Sequence, residues 1–578
     1  MILINALLPG LPYREVWVED FEFSIEDGER PKPVCVVAKE LRHGRLIRLW
    51  RDQMGHLPPY PVSADSLFIA YFASAEIGCH LELGWPVPER ILDLFTEFRI
   101  LTNFSPTRTG NKLIDALTYF GLDAMDAVKK ENMQQRIAAG GPWSHNEQRE
   151  ILDYCQMDVE VTARLFERML SWIDLPHALI RGRYMVADAR MERCGTPIDV
   201  EKFELFRDRE DSIKRSLVER VNSDYDVYDE KLSFKEERFF RWLARQGMRW
   251  PVLSDGSPDL RDETFKVMAE VHPQIAPLRE LRKTLSKMHL DKLQVGRDGF
   301  NRCILSPFQS KTGRNQPSNS KFIFGAAAWL RYLIKPPEGY TLIYLDWEQQ
   351  EFGIAAALSR DPNMLTAYLS GDAYLAFAKQ AKAAPQNATK STHEFVRALY
   401  KTGALSSQYG ITAYSLAANL NQPPYIASLL LDHHHRIYRK FWRWTENVID
   451  HAKLHHFIET RLRWRLGVDC TTKTRTLLNF PMQANGAEML RLALCEATEC
   501  GLSVCAPVHD AVLLMAPTCR WEEDAARLAD LMRKASGYLL DGFELRIEAQ
   551  AFHFPERFTD KRGAAMWKLV TDLIETNQ

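Results

Sequence analysis

Residues 503–517 read S-V-C-A-P-V-H-D-A-V-L-L-M-A-P. Two apolar, β-type runs flank one polar pair, His509-Asp510, which reads as a tight turn between two buried strands. A carboxylate there is costly unless a cation sits against it. Metal-dependent nucleotidyl transfer uses such an acid together with a second one from another strand. The residue after the pair is Ala511, where a further acid is the expected companion.

A matching acid stands upstream. Residues 341–351, T-L-I-Y-L-D-W-E-Q-Q-E, are an apolar strand ending in Asp346 with a helix starting soon after. No base lies near Asp346 in sequence, so it reads as a metal ligand; a helix N-cap is the alternative. Residues 393–410, H-E-F-V-R-A-L-Y-K-T-G-A-L-S-S-Q-Y-G, space Arg397, Lys401, Leu405 and Tyr409 four apart on one helix. Two cations followed by an aromatic suit a triphosphate and a stacked base, against the plainer reading of a solvated face. In 475–483, R-T-L-L-N-F-P-M-Q, Arg475, Asn479 and Gln483 share that spacing, and Pro481 predicts an interrupted helix. Amides beside arginine suit minor-groove acceptors and phosphate. Lys311, Arg314, Lys321, Arg331 and Lys335 form one basic stretch, and Arg461, Arg463, Arg465, Lys473 and Arg475 another.

The N-terminal region carries its own acids. In V-W-V-E-D-F-E-F, residues 16–23, Asp20 and Glu22 share a strand face and repel unless a cation lies between them. Glu76 lies in the helical stretch Y-F-A-S-A-E-I-G-C-H-L. Tyr154 and Asp158 lie one helical turn apart in I-L-D-Y-C-Q-M-D-V-E. Asp93, in I-L-D-L-F-T-E-F-R, is either a neighbour of this set or a helix N-cap. Singly, each reads as an ordinary solvated side chain. In order they offer acids for two divalent ions and a hydroxyl to orient water.

The 578 residues are enough for several domains, and 46% hydrophobic and 26% charged content is ordinary for globular chains. A net charge of −2 means that nucleic-acid binding must use local basic clefts. Ten scattered cysteines without C-x-x-C read as reduced thiols. The segment M-I-L-I-N-A-L-L lacks a basic n-region, and no apolar run reaches membrane-spanning length. A cytoplasmic protein is expected, in a bacterium or in the host cell of a virus, with no membrane partner. His433-His434-His435 and His455-His456 read as packed or solvated positions, since helix neighbours point different ways. Periodicity predicts an α/β unit over 1–185, a mostly helical region over 178–290 and strands at 303–308 and 341–346. Long helices follow over 350–460, then strands at 502–515 and 543–551.

The ordered set Asp20-x-Glu22, Glu76, Tyr154-x-x-x-Asp158 resembles the proofreading 3′→5′ exonuclease family, over residues 3–165. Glu76 and Phe72 stand where that family has aspartate and, four residues before it, asparagine. D-W-E-Q-Q-E, R-x-x-x-K-x-x-x-x-x-x-x-Y-G and V-H-D-A, preceded by T-G-R at 312–314, resemble motifs of the family A DNA polymerases, from about 181 to the C-terminus. The resemblance implies α/β and α+β architecture: an RNase H-like exonuclease domain over 1–180, then a right-hand polymerase over 181–578. The thumb would span about 205–300, the palm about 300–350 and 466–578, and the fingers about 351–465. A 5′-nuclease domain is not expected.

Two magnesium ions per active site, replaceable by manganese, would be held by Asp346 and Asp510 and by Asp20, Glu22, Glu76 and Asp158. Tyr154 would orient the hydrolytic water. Arg397 and Lys401 would hold the triphosphate, Lys401 also protonating pyrophosphate. Tyr409, Glu351, Gln349 and Tyr374 would surround the nucleotide, with Glu351 excluding a 2′-hydroxyl. Arg314, Arg475, Asn479, Gln483 and His509 would hold DNA. Leu405, Tyr374 and Ala511 replace the family's aromatic, histidine and glutamate. The implied partners are primer–template DNA, dNTPs and other replication proteins, with the chain a monomer. A single-subunit RNA polymerase and an exonuclease on a catalytically weak polymerase scaffold are the alternatives.

Overall fold

The structure, a computed structural model, describes residues 10–103, 110–122, 127–253 and 255–576. Its first unit is built on a five-stranded sheet: β1 (Glu15–Ser24), β2 (Lys32–Glu40), β3 (Leu46–Trp50), β4 (Ser66–Ala70) and β5 (Ile91–Asp93). The order is β3-β2-β1-β4-β5, with β2 antiparallel to β1 and β3, and β4 parallel to β1 and β5. This is the RNase H-like arrangement expected of the region. Helices α1 (Ala73–Leu83), α2 (Leu94–Thr102), α3 (Leu113–Tyr119), α4 (Ala127–Ala138) and α5 (His145–Met169) complete it. A capping box starts α5: Ser144 Oγ accepts from Glu147 N, and Glu147 Oε2 accepts from Ser144 N. Val16 and Val18 pack under α5 in one core, while Trp17 and Phe21 belong to the other.

Helix α6 (Leu175–Cys194) joins this unit to the rest, packing on α1 and β5. The approach is close enough that a Cβ on Gly182 would lie 1.9 Å from the Ile91 carbonyl oxygen, so glycine is required there. The pair β6 (Thr196–Pro197) and β7 (Phe300–Asn301) brackets a helical body of α7 (Val200–Asp208), α8 (Glu210–Tyr225), α9 (Glu236–Arg245), α10 (Asp262–Val271) and α11 (Ala276–Lys287). The Arg282 guanidinium lies over Phe234 at 4.1 Å and Phe265 at 4.4 Å in that body.

The strand expected at 303–308 does not form. Pro307 has no N–H for a ladder, and Ser306 and Phe308 take left-handed φ of 51° and 58°. The next strand, β8 (Tyr340–Trp347), is central. After it come α12 (Gln350–Ser359), α13 (Pro362–Leu369), α14 (Ala373–Gln380), α15 (Glu394–Gln408), α16 (Ala413–Leu420), α17 (Pro424–Ile437) and α18 (Arg439–His455). His433 and His434 are packed within these helices, bonded to Tyr400 Oη and Trp442 Nε1. The hairpin β9 (Phe457–Glu459)–β10 (Arg465–Gly467) leads to α19 (Thr474–Glu499). This helix runs through Pro481, contrary to the predicted interruption. Its extensively buried surface compensates for the lost backbone bond, and Asn485 Nδ2 donates to the Pro481 carbonyl at 2.8 Å.

β11 (Ser503–Val508) and β12 (Ala511–Pro517) form the hairpin read from sequence, then α20 (Trp521–Leu539), β13 (Ile547–His553) and α21 (Ala564–Thr576) close the chain. The sheet order is β11-β12-β8-β13, with every neighbouring pair antiparallel. Among the described residues no helix is long and apolar enough to cross a membrane.

Candidate active sites

Strand register assembles the first site. Asp346 on β8 lies opposite Ala511 on β12 and opposite Glu548 on β13, so the three side chains share one sheet face. Asp510 closes the two-residue turn before β12, and His509 takes the left-handed φ of 57° that such turns favour. Asp346 does not cap α12, whose N-cap is Gln349. Burial, then the charges of Asp510 and Glu548, push the Asp346 carboxyl up to about 7. The cation against Asp510 is Arg314, whose Nη2 donates to Oδ1 at 2.7 Å. With its amide nitrogen turned toward that carboxylate, Gln350 donates to both Asp510 oxygens at 3.1 and 3.2 Å. These carboxylates are hard oxygen donors with too little positive charge beside Asp346, which suits a divalent cation such as magnesium.

Glu351 connects this acid cluster to the helical wall. Its carboxyl is raised by burial and Asp510 and lowered by Tyr409 and Arg314. The Tyr409 hydroxyl faces Glu351 and Gln483 without a well-formed hydrogen bond. Tyr374 is buried beside Glu351 and carries the Arg397 and Lys401 cations over its ring at 5.8 and 5.7 Å. Arg397 Nε also donates to Asp372 Oδ2. Gln349 lies beside the start of the helix that carries Tyr374. Its amide is held by Gly371 O at 3.1 Å and Ala373 N at 2.9 Å. On α19, Arg475 is exposed and Asn479 and Gln483 half-buried. Burial lowers the His509 imidazole below its ordinary value, opposed by Asp510.

The second site lies where α5 crosses β1. Asp20, Glu22 and Cys155 each bring one ligand atom within 4.8 Å of the others. Cys155 Sγ donates to the Asp20 carbonyl at 3.1 Å and lies 3.4 Å from Asp20 Oδ2. Burial and the carboxylates of Asp158, Glu22 and Asp20 hold the Tyr154 phenol well above its usual range, with a hydrogen bond to Asp158. Glu76 reaches the same strand, where its Oε2 accepts from Phe21 N at 2.7 Å. That N–H is available because β4 pairs with β1 only as far as Val18. Burial, then Asp20 and Glu19, raise the Glu76 carboxyl. Asp93 is a cap: it accepts from Thr96 N, Thr96 Oγ1 and Ala73 N, each at 2.6 Å. Phe72, standing for asparagine, takes φ of 76°, a conformation asparagine tolerates better.

Sequence reasoning missed Gln350, Glu548, Cys155 and Asp372. Gln350 adjoins the recognised Glu351 and Cys155 the recognised Tyr154, and Asp372 is a residue type favoured at a helix N-cap, realised as a bond from Leu375 N. Nothing local marks Glu548.

Residues 270–551 match the model of DNA polymerase family A. A DNA polymerase of Mycobacterium phage D29 is 24% identical over 427 residues, covering 69% of this chain and 67% of that protein. A thermostable DNA polymerase I of Thermus thermophilus is 28% identical over 211 residues, 34% of this chain and 25% of that protein. The POL domain of Pol1 from M. smegmatis, solved with DNA primer-template and dNTP, has the same fold. It has a TM-score of 0.73 at 17% identity, over 97% of this chain and 98% of that one. Asp346 and Asp510 both lie within the matched residues. Over residues 270–551 the chain is thus similar to DNA polymerase family A.

Proposed function

We propose that this chain extends a primer 3′ end on a DNA template and edits the product with a 3′→5′ exonuclease. The observation that carries the polymerase reading is the strand register that sets Asp346 beside Asp510, connected through Glu351 and Tyr374 to Arg397 and Lys401. Divalent ions at Asp346 and Asp510 would activate the primer hydroxyl and stabilise the departing pyrophosphate. Glu548 supplies the further acid on the flank of Asp346 opposite Ala511. Arg397 and Lys401 bind the triphosphate, and Lys401 protonates pyrophosphate. Glu351 stands against a ribose 2′-hydroxyl, with Tyr409 at the insertion position. Arg314, Arg475, Asn479, Gln483 and His509 hold primer and template.

In this reading residues about 205–300 are the thumb and about 351–465 the fingers, with the palm between and after them. Asp20, Glu22, Glu76 and Asp158 hold the editing metals, and Tyr154 orients water, in the domain over 1–180. DNA and dNTPs as partners are supported by the primer-template and dNTP complex of the similar fold. The family match favours this reading over a single-subunit RNA polymerase. A scaffold inactive in synthesis is the second reading, prompted by Ala511. Primer extension by wild type, Asp510→Ala and Asp20→Ala decides between them.

A further inference from the structure

The segment between β7 and the basic turn at 312–314 is held by another domain. Ser306 and Phe308 both take left-handed φ, 51° and 58°, which bulky side chains disfavour. Such a backbone persists only where its surroundings over-determine it. Two side chains at the end of α2 contribute, beside Trp464 Nε1 on Lys311 O at 3.0 Å and Arg491 Nη1 on Gly313 O at 2.7 Å. Arg99 Nε donates to Phe308 O at 3.3 Å and Arg99 Nη2 to Gln309 O at 3.0 Å. Asn103 Nδ2 donates to Lys311 O at 2.9 Å and to Arg465 O at 2.8 Å. Arg99 is 9% and Asn103 6% exposed. The Phe308 ring is fully buried against Tyr184, Trp464 and the Arg491 guanidinium. Three residues beyond Lys311, the loop ends in Arg314, the cation on Asp510.

We infer that Arg99 and Asn103 are positioning residues for primer extension: the N-terminal domain holds 306–314 in the shape that delivers Arg314 to Asp510. The inference rests on the polymerase reading of Asp510. Neither side chain reaches the reacting atoms; both act through the loop backbone. The N-terminal domain is then part of the synthetic site's framework, apart from any editing.

The test uses the full chain and the variants Arg99→Ala, Asn103→Ala and Arg99→Lys. Single-nucleotide incorporation, primer–template affinity by anisotropy, and tryptic cleavage after Lys311 and Arg314 are measured, with the thermal midpoint as the fold control. Both alanine variants should lose at least tenfold in kcat/KM for primer–template while the KM for dNTP stays within twofold, and cleavage at 311 and 314 should accelerate. Arg99→Lys, which keeps one donor group, should recover part of the loss. Incorporation within twofold of wild type in both alanine variants would overturn the inference, as would a loss shared equally by the dNTP KM. A wild type that extends no primer would overturn the polymerase reading and the inference with it, whereas an extending wild type with unchanged alanine variants would overturn the inference alone.

Discussion

Asp346 and Glu548 stand directly opposite each other on adjacent antiparallel strands, with Ala511 in the matching place on the other side. Like charges placed so are destabilising unless a cation is shared. Glu548→Gln should therefore raise the magnesium concentration needed for half-maximal extension, by roughly tenfold for about 1.4 kcal/mol of lost interaction. Ala511→Glu should retain extension, because Asp346 and Asp510 remain. Magnesium titrations of primer extension check both; an inactive wild type rescued by Ala511→Glu would refute the assignment.

Arg397 and Lys401 flank the Tyr374 ring on one face of α15. Arg397→Ala should raise the KM for dNTP at least tenfold and leave primer–template affinity near wild type. Steady-state incorporation with varied dNTP reads this directly. An unchanged KM would remove Arg397 from the nucleotide site.

Glu351 couples to Tyr409 and Asp510 from a half-buried position. Glu351→Ala should raise rNTP use relative to dNTP by tenfold or more, as an opening beside the ribose admits a 2′-hydroxyl. Competition between the two substrates on one primed template measures the ratio.

Asp188 and Glu192 share a hydrogen-bonded site on α6, and burial drives Glu192 up to about 7. A carboxyl with a folded value above its ordinary 4.5 keeps its proton in the fold after the unfolded chain has lost it. Stability therefore falls as pH rises from about 4.5 to about 7, and the deficit persists above. Glu192→Gln, which can still accept from Leu305 N, should change the thermal midpoint little at acidic pH and raise it at alkaline pH. A constant difference across that range would rule out this pair as the source.

Much of both sites was legible because it is written in local spacing. Asp20-x-Glu22 needs only strand alternation, Tyr154-x-x-x-Asp158 only a helical turn, and His509-Asp510 only a hairpin between apolar runs. Glu548 was not legible, because its place beside Asp346 depends on the register of strands 202 positions apart in the chain. The strand misread at 303–308 shows the same limit: its apolar letters fit a strand, but carbonyls at its end and just beyond are taken by Arg99. Pro481 misled in the other direction, since burial along α19 outweighs one missing backbone bond.

The most direct measurement is incubation of a primed DNA template with dNTPs and magnesium, comparing wild type, Asp510→Ala and Asp20→Ala on one gel. Wild type should extend the primer and trim mismatched ends. Asp510→Ala should only degrade, and Asp20→Ala should only extend. A wild type that shortens primers and never lengthens them, with Asp510→Ala indistinguishable from it, would contradict the account.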